Sequence, residues 1–289
     1  MRRGLVMGGG GIVGIAWETG VVAGLLEEGI DLRRFDAIVG TSAGSMVGAR
    51  IAAGQDLRVP PPAGAERVDS ALPATGPDLG RLRKIFGIWS KAAGVTHQMC
   101  MEIGSHALAA KCADESTWIA ATGGSLGIAA WPETALRVAA VEASSGNFRC
   151  FQAGEDVPLA AAVAASCAVP GMFPPISIDG GRYMDGGVRS GTSADLLVPD
   201  EPDQVLVIAP MSEATLMIGA LAERCLRDEV AQLEAAGSQV VTVLPNLADV
   251  EAFGGNLMES TRAAPARQAG EIRGRALARD VLHGWRDAA

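Results

Sequence analysis

The chain has 289 residues, 48% of them hydrophobic and 20% charged, which suits one large α/β domain or two small ones and excludes a disordered or fibrous protein. Its 24 Lys and Arg against 33 Asp and Glu give a formal charge of −9, an average field that repels phosphate backbones and anionic lipid head groups and so disfavours a nucleic-acid binder. Cys100, Cys112, Cys150, Cys167 and Cys225 form an odd set without C-x-x-C spacing; this pattern fits reduced thiols in a cytoplasm and argues against a structural zinc site or any other metal.

Met1-Arg2-Arg3 resembles the start of a secretory signal, but the apolar run behind it ends at Met7, before four glycines, so no signal peptide is expected. Arg3–Met7 reads as a buried strand, 8–11 as a turn and 15–28 as a helix closed by Gly29. A second unit follows, with a strand at 35–39, a tight turn at 40–44 and a helix at 45–53 ending at Gly54. Two successive strand-turn-helix units imply a parallel sheet.

Residues 56–80 carry Pro60-Pro61-Pro62, Pro73 and Pro77 among small residues and read as a loop, either a lid or a surface linker. Residues 79–122 are helical and amphipathic, so loop and helices together make an insertion at about 56–125. A strand at 135–141, a turn at 144–147 and a strand at 148–151 form a hairpin. An alanine-rich helix is expected at 158–168, interrupted by the polar Ser166 and stopped by Pro170-Gly171. Short strands at 176–178 and 182–184 precede the turn Asp185-Gly186-Gly187, and strands at 205–209 and 240–244 flank a helix at 214–233. A terminal helix covers 262–282. The apolar stretch 159–169 is far short of the roughly 20 residues a membrane span needs, so the protein is expected to be soluble and at most peripheral, touching an interface through apolar loops.

Gly40-Thr41-Ser42-Ala43-Gly44 fits G-x-S-x-G between a strand and a helix, a setting that lifts a serine hydroxyl clear of its neighbours at a helix N-terminus. Ser42 is therefore the candidate nucleophile, the alternative being a serine that only caps its helix. Gly8-Gly9-Gly10-Gly11 offers backbone N–H groups either to a dinucleotide pyrophosphate or to an oxyanion. The dinucleotide reading needs an acid near the end of the second strand, but that strand runs straight into Gly40-Thr41-Ser42, with Asp36 at its start. That favours the oxyanion, with Gly9, Gly10 and Gly11 as donors and no cofactor. His97, His106 and His283 are poorly placed as bases, none lying at a turn beside a strand. Asp185, presented by a glycine turn, is the better candidate, and on its own Asp185-Gly186 is also simply a good turn dipeptide.

Taken in order, the glycine loop, Gly40-Thr41-Ser42-Ala43-Gly44 and Asp185-Gly186-Gly187 resemble the patatin-like phospholipase family. The likeness extends to 165–175, Ala-Ser-Cys-Ala-Val-Pro-Gly-Met-Phe-Pro-Pro, and spans roughly 5–197. It implies one patatin-like α/β domain over 1–289, with a central, mostly parallel sheet flanked by helices in three layers. It also implies a serine esterase in lipid degradation, with a Ser42–Asp185 dyad, no histidine, and lipid or other acyl-ester substrates; separately, the low aromatic content and the abundance of alanine and arginine point to a bacterial source. An acyltransferase on the same dyad and a silent lipid-binding protein are the alternatives. Met172 and Phe173 are expected at an acyl pocket or interfacial loop, or else in plain core packing, and Arg182 and Arg189 beside a phosphate or in solvent. One departure is visible: Val13 stands where the family often carries Arg or Lys.

Overall fold

The computed structural model describes residues 1–59, 78–212, 215 and 219–280. Strand β1 (Arg3–Met7) leads through a glycine turn into helix α1 (Gly11–Glu27), and β2 (Ala37–Thr41) leads into α2 (Ala43–Ala52). Three helices follow, α3 (Leu79–Lys91), α4 (His97–Leu108) and α5 (Glu115–Ala121). Then come β3 (Ala135–Glu142), β4 (Phe148–Gln152), α6 (Leu159–Ser166), β5 (Ile176–Ile178) and β6 (Gly181–Asp185). The chain continues through β7 (Gln204–Ile208), α7 (Gly219–Ala235), β8 (Gln239–Val243), α8 (Leu247–Phe253) and α9 (Ala263–Asp280).

The strands form one mixed sheet in which β3, β2, β1, β7 and β8 are successive parallel neighbours. β4 and β6 pair antiparallel with β3, and β5 with β6. Alternation along the parallel strands splits the core in two, because successive side chains point to opposite faces. Leu5, Met7, Ile38, Leu206 and Ile208 pack with Trp17, Val21 and Val47 of α1 and α2. Val6, Val39, Val205 and Val207 pack instead with Leu197, Leu226 and Leu233. Helices thus cover both faces, giving the expected three-layer, mostly parallel α/β fold. No helix among the described residues is long and apolar enough to cross a membrane.

Helix α9 lies along α1 at backbone contact: a Cβ on Gly20 would stand 2.1 Å from the Arg267 carbonyl oxygen, and one on Gly274 2.2 Å from that of Val21. Only glycine allows the two helices to come this close.

Several boundaries differ from expectation. β2 runs two residues later than the expected 35–39, because Gly40 and Thr41 continue the ladder against Val138 and Ala139 of β3. α1 begins at Gly11 instead of 15, the turn being made by Gly10 in extended backbone and Gly11 at φ 61°. The helical stretch 79–122 is broken into three; the Thr96 side chain accepts the Met99 N–H and starts α4 afresh. Helix α8 was not expected; its seven residues are started by a capping box between Asn246 and Asp249. Of the expected loop at 56–80, residues 60–77 lie outside the described residues, as do 213–214, 216–218, His283 and the last two residues of the expected terminal helix.

Candidate active site

Ser42 sits between β2 and α2 at φ 53° and ψ −122°, a backbone conformation that a non-glycine residue adopts only when its surroundings impose it. The surroundings are explicit. Its N–H donates to the Ser166 Oγ at 2.9 Å. Its carbonyl accepts from the Ser45 N–H at 2.9 Å, the Ser45 hydroxyl at 2.7 Å and the Cys167 thiol at 3.1 Å. Burial pushes the Cys167 thiol far up from its ordinary 9.0, so it stays an S–H donor. Gly44 closes the turn against β1: a Cβ there would lie 2.0 Å from the Met7 carbonyl oxygen, and its N–H donates to the Gly8 carbonyl at 2.9 Å.

Asp185 reaches Ser42 through sheet register. β2 follows one edge of β3 up to the pair Thr41–Ala139. β4 fills the opposite edge over 137–141. β6 therefore takes the edge that β2 vacates, running the other way from the pair Asp185–Ala140. The last residues of β2 and β6 meet head to head, and the Ser42 hydroxyl stands close enough to the Asp185 carboxyl to draw its pKa down. Asp185 is held further by its own N–H, which donates to the Ala168 carbonyl at 3.0 Å, and by the Gly187 N–H, which donates to its Oδ1 at 2.7 Å. Only 5% of the residue is exposed. Burial pushes its carboxyl from 3.8 up to about 7, against the opposing pull of the Ser42 hydroxyl and the Gly187 amide.

The glycine loop lies against this pair. The Gly9 N–H is committed, donating to the Gly191 carbonyl at 2.8 Å, and the Gly8 N–H donates to Ile208 at 2.9 Å. For the amides of Gly10 and Gly11, at the head of α1, no acceptor is recorded among the described residues. Three donors were expected from the sequence; Gly9 is tied to the scaffold and leaves two. Val13, at the position where the family often carries a cation, is fully buried and its N–H donates to the Leu257 carbonyl at 3.0 Å. The loop is thus anchored by main chain.

Beside Ser42 a cleft is lined by Ile12, Ile15, Met46, Trp118, Phe173 and Met258. Phe173 stacks on Trp118 with ring centroids 3.7 Å apart and planes 12° from parallel. The open cavity is about 30 Å³. Phe173 lies on the cleft wall, whereas Met172 packs partly buried against the core and is not part of the lining.

The remaining candidates lie elsewhere. Arg182 binds the Pro175 carbonyl and Glu115, and Arg189 pairs with Asp195, so both guanidinium groups are engaged within the protein. The His97 ring hydrogen-bonds the Ser145 carbonyl, and His106 faces a groove between α3 and α4. Among the described residues, no histidine lines the Ser42 cleft. Two participants escaped sequence reasoning: Ser166, whose signal was a lone polar residue in an alanine run, and Trp118, which had none.

A family profile described as patatin-like phospholipase matches residues 5–198. No protein of curated function matches the chain. Among solved structures, the crystal structure of VipD from Legionella pneumophila is similar, at 14% identity and a TM-score of 0.45. That likeness covers 96% of this chain, which spans 66% of the VipD chain.

Proposed function

Because this chain belongs to the patatin-like phospholipase family, whose members are lipid acyl hydrolases, we propose that it cleaves carboxylic esters of lipids through an acyl-enzyme on Ser42. The Ser42 Oγ attacks the ester carbonyl carbon while Asp185 accepts its proton, and the amides of Gly10 and Gly11 donate to the oxyanion that forms. Collapse expels the alcohol, which takes the proton from Asp185. Water then attacks the acyl carbonyl, giving its proton to Asp185; the C–Oγ bond breaks, Ser42 is reprotonated and the fatty acid leaves. Gly9 positions the loop through Gly191 and needs no place in the oxyanion site.

The observation that carries this reading is the sheet register that sets Ser42 beside a buried Asp185, whose carboxyl is pushed up to about 7. An aspartate near its ordinary 3.8 is a weak base, whereas one near 7 matches a working pH near neutrality. Ligand pockets commonly span about 300–1,000 Å³, so the 30 Å³ cleft has to widen before an acyl chain enters. We read β1 to α9 as one domain, a reading supported by β7 and β8, which extend the same sheet beyond the matched residues. Five free cysteines support a reducing compartment such as the cytoplasm.

The test is labelling with a fluorophosphonate and turnover of a soluble short-chain ester. Wild type is expected to label stoichiometrically at Ser42, and Ser42→Ala to lose both labelling and turnover while remaining folded. Turnover unchanged in Ser42→Ala, or no labelling of the native protein, would overturn the proposal.

A further inference from the structure

The average charge of −9 hides a local reversal. Residues 79–111 hold five Lys and Arg and one acidic residue, a net charge of +4. Most of these cations stand on one helix. In α3 the inward residues Ile85 and Trp89 are buried, while Arg83, Lys84 and Lys91 are exposed. Those three line a broad groove of about 780 Å³ between α3 and α4, floored by Ile88 and Met99 and faced from α4 by Glu102. Among the described residues none of the three cations has an ion pair, whereas Arg81 on the same helix is paired with Asp78. Leu79, at the start of the helix, is 72% exposed.

The location matters as much as the charge. The inner face of α3 presses on the segment that walls the Ser42 cleft: a Cβ on Gly171 would lie 3.0 Å from Ile85 Cδ1 and 3.3 Å from Leu82 Cδ2. Val169 and Phe173, two residues to either side of Gly171, line the cleft itself. The cations are therefore displayed on the back of the cleft wall, on a helix fixed to it by buried side chains. They form an open array on an exposed helix, with no buried polar group among them to enclose a small anion. Such an array fits a surface of negative charges.

From this we infer that the α3–α4 face docks on the anionic phospholipid head groups of a bilayer, Arg83, Lys84 and Lys91 supplying the charge and Leu79 an apolar contact. This rests on the lipid-ester reading above for the choice of a membrane over an acidic protein, since docking here brings the cleft wall to the substrate's own surface. It also replaces the expectation that interfacial contact relies on apolar loops alone.

The test uses the full chain carrying Ser42→Ala, so that docking is read without turnover. Co-sedimentation with equimolar phosphatidylcholine–phosphatidylglycerol vesicles is expected, with little on pure phosphatidylcholine, and binding should collapse as salt rises from about 0.05 to about 0.5 M. Adding R83Q/K84Q/K91Q should weaken vesicle binding by roughly a hundredfold. The same triple change in the Ser42-containing chain should leave hydrolysis of the soluble ester at its wild-type rate. R2Q/R227Q/R279Q, an equal loss of charge outside the groove, should bind vesicles nearly as wild type. Equal binding to neutral and anionic vesicles, no binding to either, or the same loss in both triple variants overturns the inference. None of these outcomes bears on labelling of Ser42, so the two proposals fail separately.

Discussion

The main-chain N–H of Ser42 donates to the side chain of Ser166, 2.9 Å away at the end of α6. The next residue, Cys167, donates to the Ser42 carbonyl, and the one after it, Ala168, accepts the N–H of Asp185. Three consecutive residues thus hold both partners of the site by their backbones, and a rigid α6 terminus fixes the distance between them.

Ser166→Ala leaves a buried amide without an acceptor in a turn that is already strained. The expected cost is about 1–3 kcal/mol of stability. Because Ser166 touches no reacting atom, kcat for a soluble ester should fall about 10- to 100-fold with KM little changed, and Ser166→Thr, which keeps the hydroxyl, should restore most of it. Urea titration and steady-state kinetics read the two effects. A kcat equal to wild type in a destabilised Ser166→Ala protein would reduce the contact to a purely structural role.

The pH dependence follows from Asp185. The proposed mechanism uses Asp185 as an ionised base, so kcat/KM should rise with pH and level off above about 7, the position to which burial has moved the carboxyl. Stability should move the opposite way. Unfolding returns the group to its ordinary 3.8, so between that pH and about 7 the unfolded chain is ionised while the folded protein holds the proton. Its contribution is fully present below the lower value and is lost as pH rises through the upper one. Asp185→Asn should therefore be inactive yet more stable than wild type at about pH 8, by up to ~4 kcal/mol at ~1.4 kcal/mol per unit. Thermal melts across the range check this; an Asn variant less stable than wild type at every pH would contradict it.

Glu18 offers a second titration away from the chemistry. It is fully buried on α1, neither carboxyl oxygen makes a well-formed hydrogen bond among the described residues, and burial pushes it well above its ordinary 4.5, the Gly8 backbone offsetting only part. Burial disfavours the ionised form in the folded protein, and folding grows costlier as pH rises from that ordinary value toward the raised one. Glu18→Gln should thus stabilise the protein increasingly as pH rises and very little at about pH 4. A stability difference that does not vary with pH would be inconsistent with a neutral acid at this position.

Phe173→Ala removes one ring of the Trp118–Phe173 stack and opens the cleft beside Ser42. A loss of about 3–5 kcal/mol in stability is expected, together with a shift of kcat/KM toward bulkier or longer acyl groups. A chain-length series of soluble esters at a temperature where the variant is folded measures it. An unchanged profile would show that acyl groups lie elsewhere.

Much of this architecture could be read in advance because its signals are local. The strand-turn-helix units at 3–28 and 35–54 and the glycine-flanked Ser42 and Asp185 each announce themselves within a dozen residues. What brings the pair together does not: β6 occupies the edge of β3 that β2 leaves at Ala139, and no stretch of sequence encodes where one strand yields to another. Gly9 shows the same limit at smaller scale. Four consecutive glycines look alike in sequence, and only the position of Gly191 decides which amide is already spent on the scaffold. Ser166 was visible as a single polar residue in an alanine-rich helix, yet its partner, the Ser42 N–H, comes from a distant segment. The positive face of α3 was concealed by averaging charge over the whole chain.

The family profile ends at residue 198, but the first strand does not stop needing neighbours there. β1 is an interior strand only because β7 lies beside it, and the Gly8 N–H finds its acceptor in Ile208. A fragment trimmed at the profile boundary would turn β1 into a raw, adhesive edge and strip α1 of the helix that sheathes it. Ser42 and Asp185 would both survive in such a truncation, and the platform beneath the glycine loop would not.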